Sequence, residues 1–354
     1  MSLSPNTPIP FEPLLAAYRS GQLSPDNIRL TETVEAPRAE DILDLSQLDV
    51  SQKQQLIELG QTAVARGEVA AIVLAGGMAT RFDYSAPKGL FPIVGEHSFL
   101  EIKIRALCGQ GIHLFLMTSF HTYQPLLDFL EAQDYFGFRD LVSLFQQFKL
   151  PRIYANGEIR RVNGEIDYAT SGHGDFVAAL KQSQLLDQFL AKGGKWLLFS
   201  NIDNLGASFD PLLLGQHIQS GVDMSIEVAA KAPGDKGGAP ARVSGRLQLV
   251  EEFLFPENFD QNQIQVFNTA SYIFSAQALQ ADYDLPWYIV NKKVDGESVL
   301  QFEHLAGDLS CSMPLQCLFV DRDQRFLPVK QLTDAPKVEP LIRQKYQQLF
   351  EGQS

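Results

Sequence analysis

Ala71-Ile-Val-Leu-Ala-Gly-Gly-Met-Ala-Thr-Arg-Phe82, followed closely by Ala86-Pro-Lys-Gly89, is the stretch that decides the fold. An apolar strand over Ala70–Leu74 empties into Gly76 and Gly77. Such a turn presents bare backbone N–H groups at the carboxyl edge of a sheet, where anionic ligands dock in open α/β folds. Arg81 and Lys88 add two cations to the same loop, so the natural guest is a polyphosphate. Neither of the commoner phosphate motifs fits. There is no Gly-x-x-x-x-Gly-Lys-Ser/Thr, and Gly76-Gly-Met-Ala79 does not satisfy Gly-x-Gly-x-x-Gly. A strand-end glycine pair also occurs in plain tight turns. The arginine and the Pro-Lys-Gly beyond it are what argue for a phosphate loop.

Outward from this loop, short apolar runs alternate with amphipathic stretches. The runs are Ala70–Leu74, His113–Thr118, Val142–Phe145, Lys195–Ser200, Met224–Ala229 and Leu247–Val250. Helix-like segments over Tyr123–Ala132, Gly174–Phe189 and Asp210–Gln219 separate several of them. This pattern predicts an α/β fold with a doubly wound, mainly parallel sheet. Continuous apolar runs such as Trp196-Leu-Leu-Phe199 fit strands covered on both faces. Residues 11 to 69 read as helical, with Asp49 opening and Gly60 closing one helix. Ile153–Ile166, with turn signals at Asn156-Gly157 and Asn163-Gly164, reads as a hairpin insertion. The expected division is a helical N-terminal segment (1–69), a nucleotide-binding domain (70–330) and a helical tail (331–354).

The chain has 354 residues, 45% hydrophobic and 20% charged, with a net charge of −13. That balance argues against a nucleic-acid partner, which calls for a basic patch, but it leaves room for one local cationic pocket. Cys108, Cys311 and Cys317 form no Cys-x-x-Cys pair and cannot all pair within one chain. They suggest a reduced compartment. The N-terminus lacks the pattern of a signal peptide, and no apolar run nears the roughly 20 residues of a membrane span. A cytoplasmic protein without a membrane partner is the expectation.

Four further constellations carry chemistry. Asn201-Ile-Asp-Asn204 ends a strand, so the Asp203 carboxylate shares an edge with the glycine loop. One carboxylate plus phosphate oxygens is the usual way a protein holds Mg²⁺; the bland alternative is a helix cap. Thr170-Ser-Gly-His-Gly-Asp175 opens a helix, where flanking glycines allow close approach and His173 can donate to a phosphate or hydroxyl. It could equally be an N-cap turn with an incidental histidine. Gln147, in Phe145-Gln-Gln147, offers a donor and an acceptor that suit the imide edge of uracil. Lys330 closes Arg325-Phe-Leu-Pro-Val-Lys330; spacing alone does not distinguish it from a solvated surface lysine. No nucleophile-plus-base arrangement stands out. The site therefore suits positioning and charge neutralisation rather than covalent catalysis.

Taken in order, these motifs resemble the eukaryotic-type UTP–sugar-1-phosphate uridylyltransferases, above all the UTP–glucose-1-phosphate uridylyltransferase (UDP-glucose pyrophosphorylase) family. UDP-N-acetylglucosamine pyrophosphorylases are the nearest cousins. The resemblance also rests on Lys236-Gly-Gly238, Gly245-Arg-Leu-Gln-Leu-Val-Glu251, Phe267-Asn-Thr269 and Asn291-Lys-Lys-x-Asp-Gly296. It implies a mixed, mainly parallel Rossmann-like sheet and Mg²⁺-dependent transfer of uridylyl from UTP to a hexose 1-phosphate, with glucose 1-phosphate the first expectation. By resemblance, Leu74, Ala75, Gly76 and Gly77 would hold the nucleotide and Lys88 its phosphates. Gln147 and Gly172 would read uracil, and Asp203 would bind the metal beside UTP. His173 and Asn201 would contact the sugar phosphate, Glu251 and Asn268 the sugar hydroxyls. Lys330 would bridge the two substrates, with Lys88 and Arg81 sharing the charge.

The chain departs from the family pattern at several points. Ala79 stands where a glycine is usual, which would narrow the triphosphate space. Thr170-Ser171 replace prolines, which would loosen the histidine loop. Ala270-Ser271 replace asparagines of the glucose enzymes, so N-acetylhexosamine and galactose 1-phosphates stay open as acceptors. A non-catalytic nucleotide-sugar-binding protein stays open too. The short remainder after Lys330 leaves no room for a C-terminal β-helix, and a monomer or weak dimer is expected.

Overall fold

The computed structural model describes residues 9–25, 28–232, 235 and 237–350; Lys236 of the Lys-Gly-Gly motif lies outside them. Eight strands form the main sheet: β1 Ile42–Asp44, β2 Val69–Leu74, β3 His113–Thr118, β4 Val142–Gln146, β5 Trp196–Asn201, β6 Met224–Ala230, β7 Val266–Ser275 and β8 Leu315–Phe319. From edge to edge they lie β1, β8, β6, β7, β5, β2, β3, β4. All run parallel except β7, which is antiparallel to both neighbours.

Apolar residues on both sides of each central strand explain why the sheet is sandwiched. In β2, Val69, Ala71 and Val73 join one core with the helices Phe99–Cys108, Tyr123–Ala132 and Pro211–Ser220. Ala70 and Ile72 join a second core with Phe176–Gln182 and Leu185–Ala191. A third cluster packs the helix Phe11–Arg19 against Leu150, Ile153 and the hairpin Tyr288–Val294/Glu297–Glu303. Arg160, almost wholly buried, ties the insertion to that hairpin through Asp167, Asp295 and Glu297.

Several local expectations are corrected. The helical reading of 11–69 holds for Phe11–Arg19 and Val50–Ala65, the latter capped by Asp49 but running past Gly60 rather than ending there, and the chain between the two helices adds strands. Val34–Glu35 pairs with Ala239–Val243, and β1 is an edge of the main sheet beside β8. Leu247–Val250 lies outside the main sheet, paired antiparallel with Ala239–Val243. The single helix expected over Gly174–Phe189 breaks at Gln184, whose φ of 62° ends one helix before Leu185 starts the next. The insertion does turn where expected: Asn163 and Gly164 both have positive φ between Arg161–Val162 and Glu165–Ile166. Lys330 is reached from β8 through the short helix Arg322–Arg325 and an extended run in which Pro328 bridges to Asn204.

A candidate nucleotide–sugar site at the strand ends

Parallel pairing puts Asn201 beside Leu74 and Leu74 beside Met117, so the carboxyl ends of β5, β2 and β3 form one ledge. All three line a cleft of about 580 Å³. Around it gather Gly76, Gly77, Lys88, Gln147, Gly172, His173, Asp203, Glu251, Asn268 and Lys330, residues separated by more than 250 positions in sequence.

The glycine wall is held open by hydrogen bonding. The Lys88 N–H donates to the Gly77 carbonyl, and the Ala79 N–H donates to Ala86. Gly76 lets the glutamine come close: a Cβ there would lie 2.4 Å from Gln147 Oε1 and displace that amide. Gln147 in turn donates through Nε2 to the Gly172 carbonyl at 3.3 Å, joining the glutamine to the histidine loop. Gly172 has φ of 84°, and a Cβ on it would strike the His304 carbonyl.

Lys88 Nζ stands 2.5 Å from Asp203 Oδ2, both side chains mostly buried at the cleft. Asp203 caps no helix; the helix that follows is capped by Asp210. Its carboxylate faces the glycine wall, and no cluster of three or more potential metal ligands occurs among the described residues. A single carboxylate with room for phosphate oxygens is a donor set that fits Mg²⁺ rather than zinc.

His173 Nδ1 accepts the Ala306 N–H at 3.0 Å, which leaves Nε2 as the protonated nitrogen. Burial pushes the imidazole down to about 4, so it is neutral at physiological pH and offers one N–H donor. The loop is also pinned. Ser171 is buried, donates its N–H to Phe148 and its hydroxyl to Asp175 Oδ2, and accepts from the His304 N–H. Serine thus supplies the fastening that a proline would supply by stiffness, contrary to the looser loop expected.

A further wall of the cleft comes from a bulge in β7. Ile226 of β6 faces Tyr272 while Val228 faces Asn268, so extra residues of β7 bow outward. Ala270 sits in the bulge at φ of 56°, a left-handed conformation that asparagine adopts more readily than alanine. Asn268 accepts the Ala270 N–H and donates to Tyr272 Oη at 2.9 Å, which fixes its amide. Glu251 stands over Gly238; burial pushes its carboxyl upward while the Gly238 N–H opposes the shift.

Two expected site residues, the nucleotide contact Ala75 and the catalytic cation Arg81, fall outside the lining. Ala75 is buried in the core, with its N–H donated to Met117, and Arg81 is exposed beyond the cleft. Ala79 is corrected: its methyl is 2% exposed and packs into the core, so it takes no space from the cleft. Glu303 and Tyr272 line the cleft without having been singled out. Their placement depends on long-range packing that no local motif records.

A mixed α/β sheet with a glycine turn, the Lys88–Asp203 pair and Lys330 gathered in one cleft at its strand ends is the arrangement in which open α/β folds take phosphate-bearing ligands. The chain belongs to the UTP–glucose-1-phosphate uridylyltransferase family, whose model matches residues 11–349. It is 30% identical over 289 residues to a UTP–glucose-1-phosphate uridylyltransferase of Solanum tuberosum, covering 74% of this chain and 59% of that one. A UDP-N-acetylglucosamine diphosphorylase of Arabidopsis thaliana is 28% identical over 77% of this chain and 63% of its own. The chain thus spans about three-fifths of the length of these curated relatives. Among solved structures, a Leishmania major UDP-glucose pyrophosphorylase mutant superposes with a TM-score of 0.74 at 23% identity, over 92% of this chain and 74% of that one. A Trypanosoma brucei UDP-N-acetylglucosamine pyrophosphorylase gives 0.74 at 24% identity, over 86% and 72%. Both share the fold. Among the described residues no helix is long and apolar enough to cross a membrane.

Proposed function

We propose that this chain transfers uridylyl from UTP to a hexose 1-phosphate, releasing pyrophosphate. The observation that carries the reading is the convergence in one cleft of the Gly76-Gly77 backbone, the Lys88–Asp203 pair and Lys330. Gln147, fixed on Gly172, meets the uracil edge; Leu74 and the glycine wall carry the ribose and phosphates. His173, through Nε2–H, and Asn201 hold the sugar phosphate, while Glu251 and Asn268 accept the sugar hydroxyls. A sugar-phosphate oxygen then attacks the α-phosphorus in line and pyrophosphate leaves. Lys88 and Lys330 offset the charge that builds there, and Arg81 acts only as a peripheral cation. Mg²⁺, held by Asp203 and the phosphate oxygens, supplies further charge neutralisation when bound. The chain's main contribution is alignment, which can remove ~7–11 kcal/mol of the barrier.

Glucose 1-phosphate is the first choice of acceptor, and the N-acetylhexosamine acceptor stays in view because of the Arabidopsis relative. A panel of glucose, galactose and N-acetylglucosamine 1-phosphates with UTP and Mg²⁺, read by pyrophosphate release, decides. Release with glucose 1-phosphate at the highest kcat/KM is expected. No release with any acceptor, despite UDP-sugar binding, would leave a binding protein instead.

The inward course of Ala79 gives a further expectation. Ala79→Gly leaves the KM for UTP within about twofold of wild type and lowers stability by about 1 kcal/mol, from the lost buried methyl and added backbone freedom. A marked fall in KM would mean that the methyl does reach the triphosphate.

A further inference from the structure

Beneath the cleft lies a lysine that the mechanism above does not use. Lys103, on the helix Phe99–Cys108, is 1% exposed. Its Nζ donates to Ser200 Oγ at 3.1 Å and to the Ala207 carbonyl at 2.5 Å. Ser200 directly precedes Asn201, and Ala207 directly follows Gly206. The two acceptors therefore stand at the two ends of the loop that carries Asn201 and Asp203 into the cleft.

Among the described residues no carboxylate forms an ion pair with this ammonium. Burial pushes its pKa down to about 7, Arg325 and Lys345 act in the same direction, and Asp203 and Glu227 oppose. A leucine or methionine on this helix face would suit the surrounding core better. The lysine's return lies in the two oxygens it joins. What they hold is specific: the Ile202 N–H donates to Leu74, and the Asp203 carbonyl accepts the Val329 N–H next to Lys330.

The structure assigns to Lys103 the role of a positioning residue that clamps both ends of the 201–206 loop and so sets Asp203 against Lys88 and Lys330. This rests on the proposed uridylyl transfer, but the clamp can be read without it. In the substrate-free chain, Lys103→Met speeds hydrogen exchange at the Ile202 and Val329 amides about tenfold, while amides of the helix Val50–Ala65 stay unchanged. With UTP and hexose 1-phosphate, kcat falls about tenfold, the size of one hydrogen bond lost from the aligned state. Both KM values stay within about twofold and the unfolding midpoint does not fall. Ser200→Ala, which removes a hydroxyl only, keeps the test alive should Lys103→Met not fold; it moves exchange and kcat the same way by about threefold.

Unchanged exchange at Ile202 and Val329 in the folded variants would overturn the clamp, as would exchange that rises equally throughout the chain. A wild-type chain that transfers nothing overturns the functional reading and leaves the exchange result to decide the clamp.

Discussion

Lys330→Ala lowers kcat/KM for pyrophosphate release by roughly 10²–10³, the usual loss when one preorganised charge-stabilising donor is removed. The loss should be confined to chemistry because Lys330 is held by its backbone. Its N–H donates to Asp334 Oδ2, and the adjacent Val329 N–H donates to the Asp203 carbonyl. Removing the exposed ammonium leaves those bonds in place, so circular dichroism and the unfolding midpoint should match wild type. Lys330→Arg keeps the charge but not its point geometry and should recover only part of the rate. Wild-type turnover in the alanine variant would remove Lys330 from the reacting pair.

The second large effect is on stability. Glu227→Ala should cost about 3–5 kcal/mol of unfolding free energy, because it leaves a buried guanidinium without its counter-charge. Arg325 and Glu227 are both nearly inaccessible and joined by two bonds of 2.8 and 2.5 Å. Arg325 also donates to the Ser208 carbonyl, and its own carbonyl accepts from Asn204. Asn204 takes the Leu327 and Gly206 N–H groups in return. The ion pair thus anchors the junction between the 201–206 loop and the run that reaches Lys330. Replacing both partners by leucine should recover most of the stability, since no lone charge remains, yet not the activity. Urea unfolding of the single and double variants checks the energy. A Glu227→Ala loss below about 1 kcal/mol would mean water reaches the guanidinium.

What the sequence made legible is what repeats locally. The apolar runs at β2, β3 and β4 and the helix Tyr123–Ala132 declare themselves by composition and period. Glycines, Lys88 and Asp203 at strand ends followed from parallel topology, since parallel strands bring their carboxyl ends together. Side-chain direction past a strand end did not follow, because alternation stops where the strand stops. Ala75 and Ala79 turn into the core for that reason, and Arg81 turns out to solvent. Strand β1 is three residues long within a polar stretch, too short for any period to show. The bulge at Ala270 and the approach of Glu303 depend on partners far away in sequence. Lys103 was invisible for a different cause: an isolated lysine in an amphipathic helix reads as a surface residue.

The most direct test follows the phosphate oxygens. The chain is incubated with UTP, Mg²⁺ and a hexose 1-phosphate labelled with ¹⁸O in its phosphate, and both products are weighed by mass spectrometry. In-line attack at the α-phosphorus predicts equimolar products, all label in the UDP-hexose and none in the pyrophosphate. Label in pyrophosphate, or UMP in place of a UDP-hexose, would contradict the account.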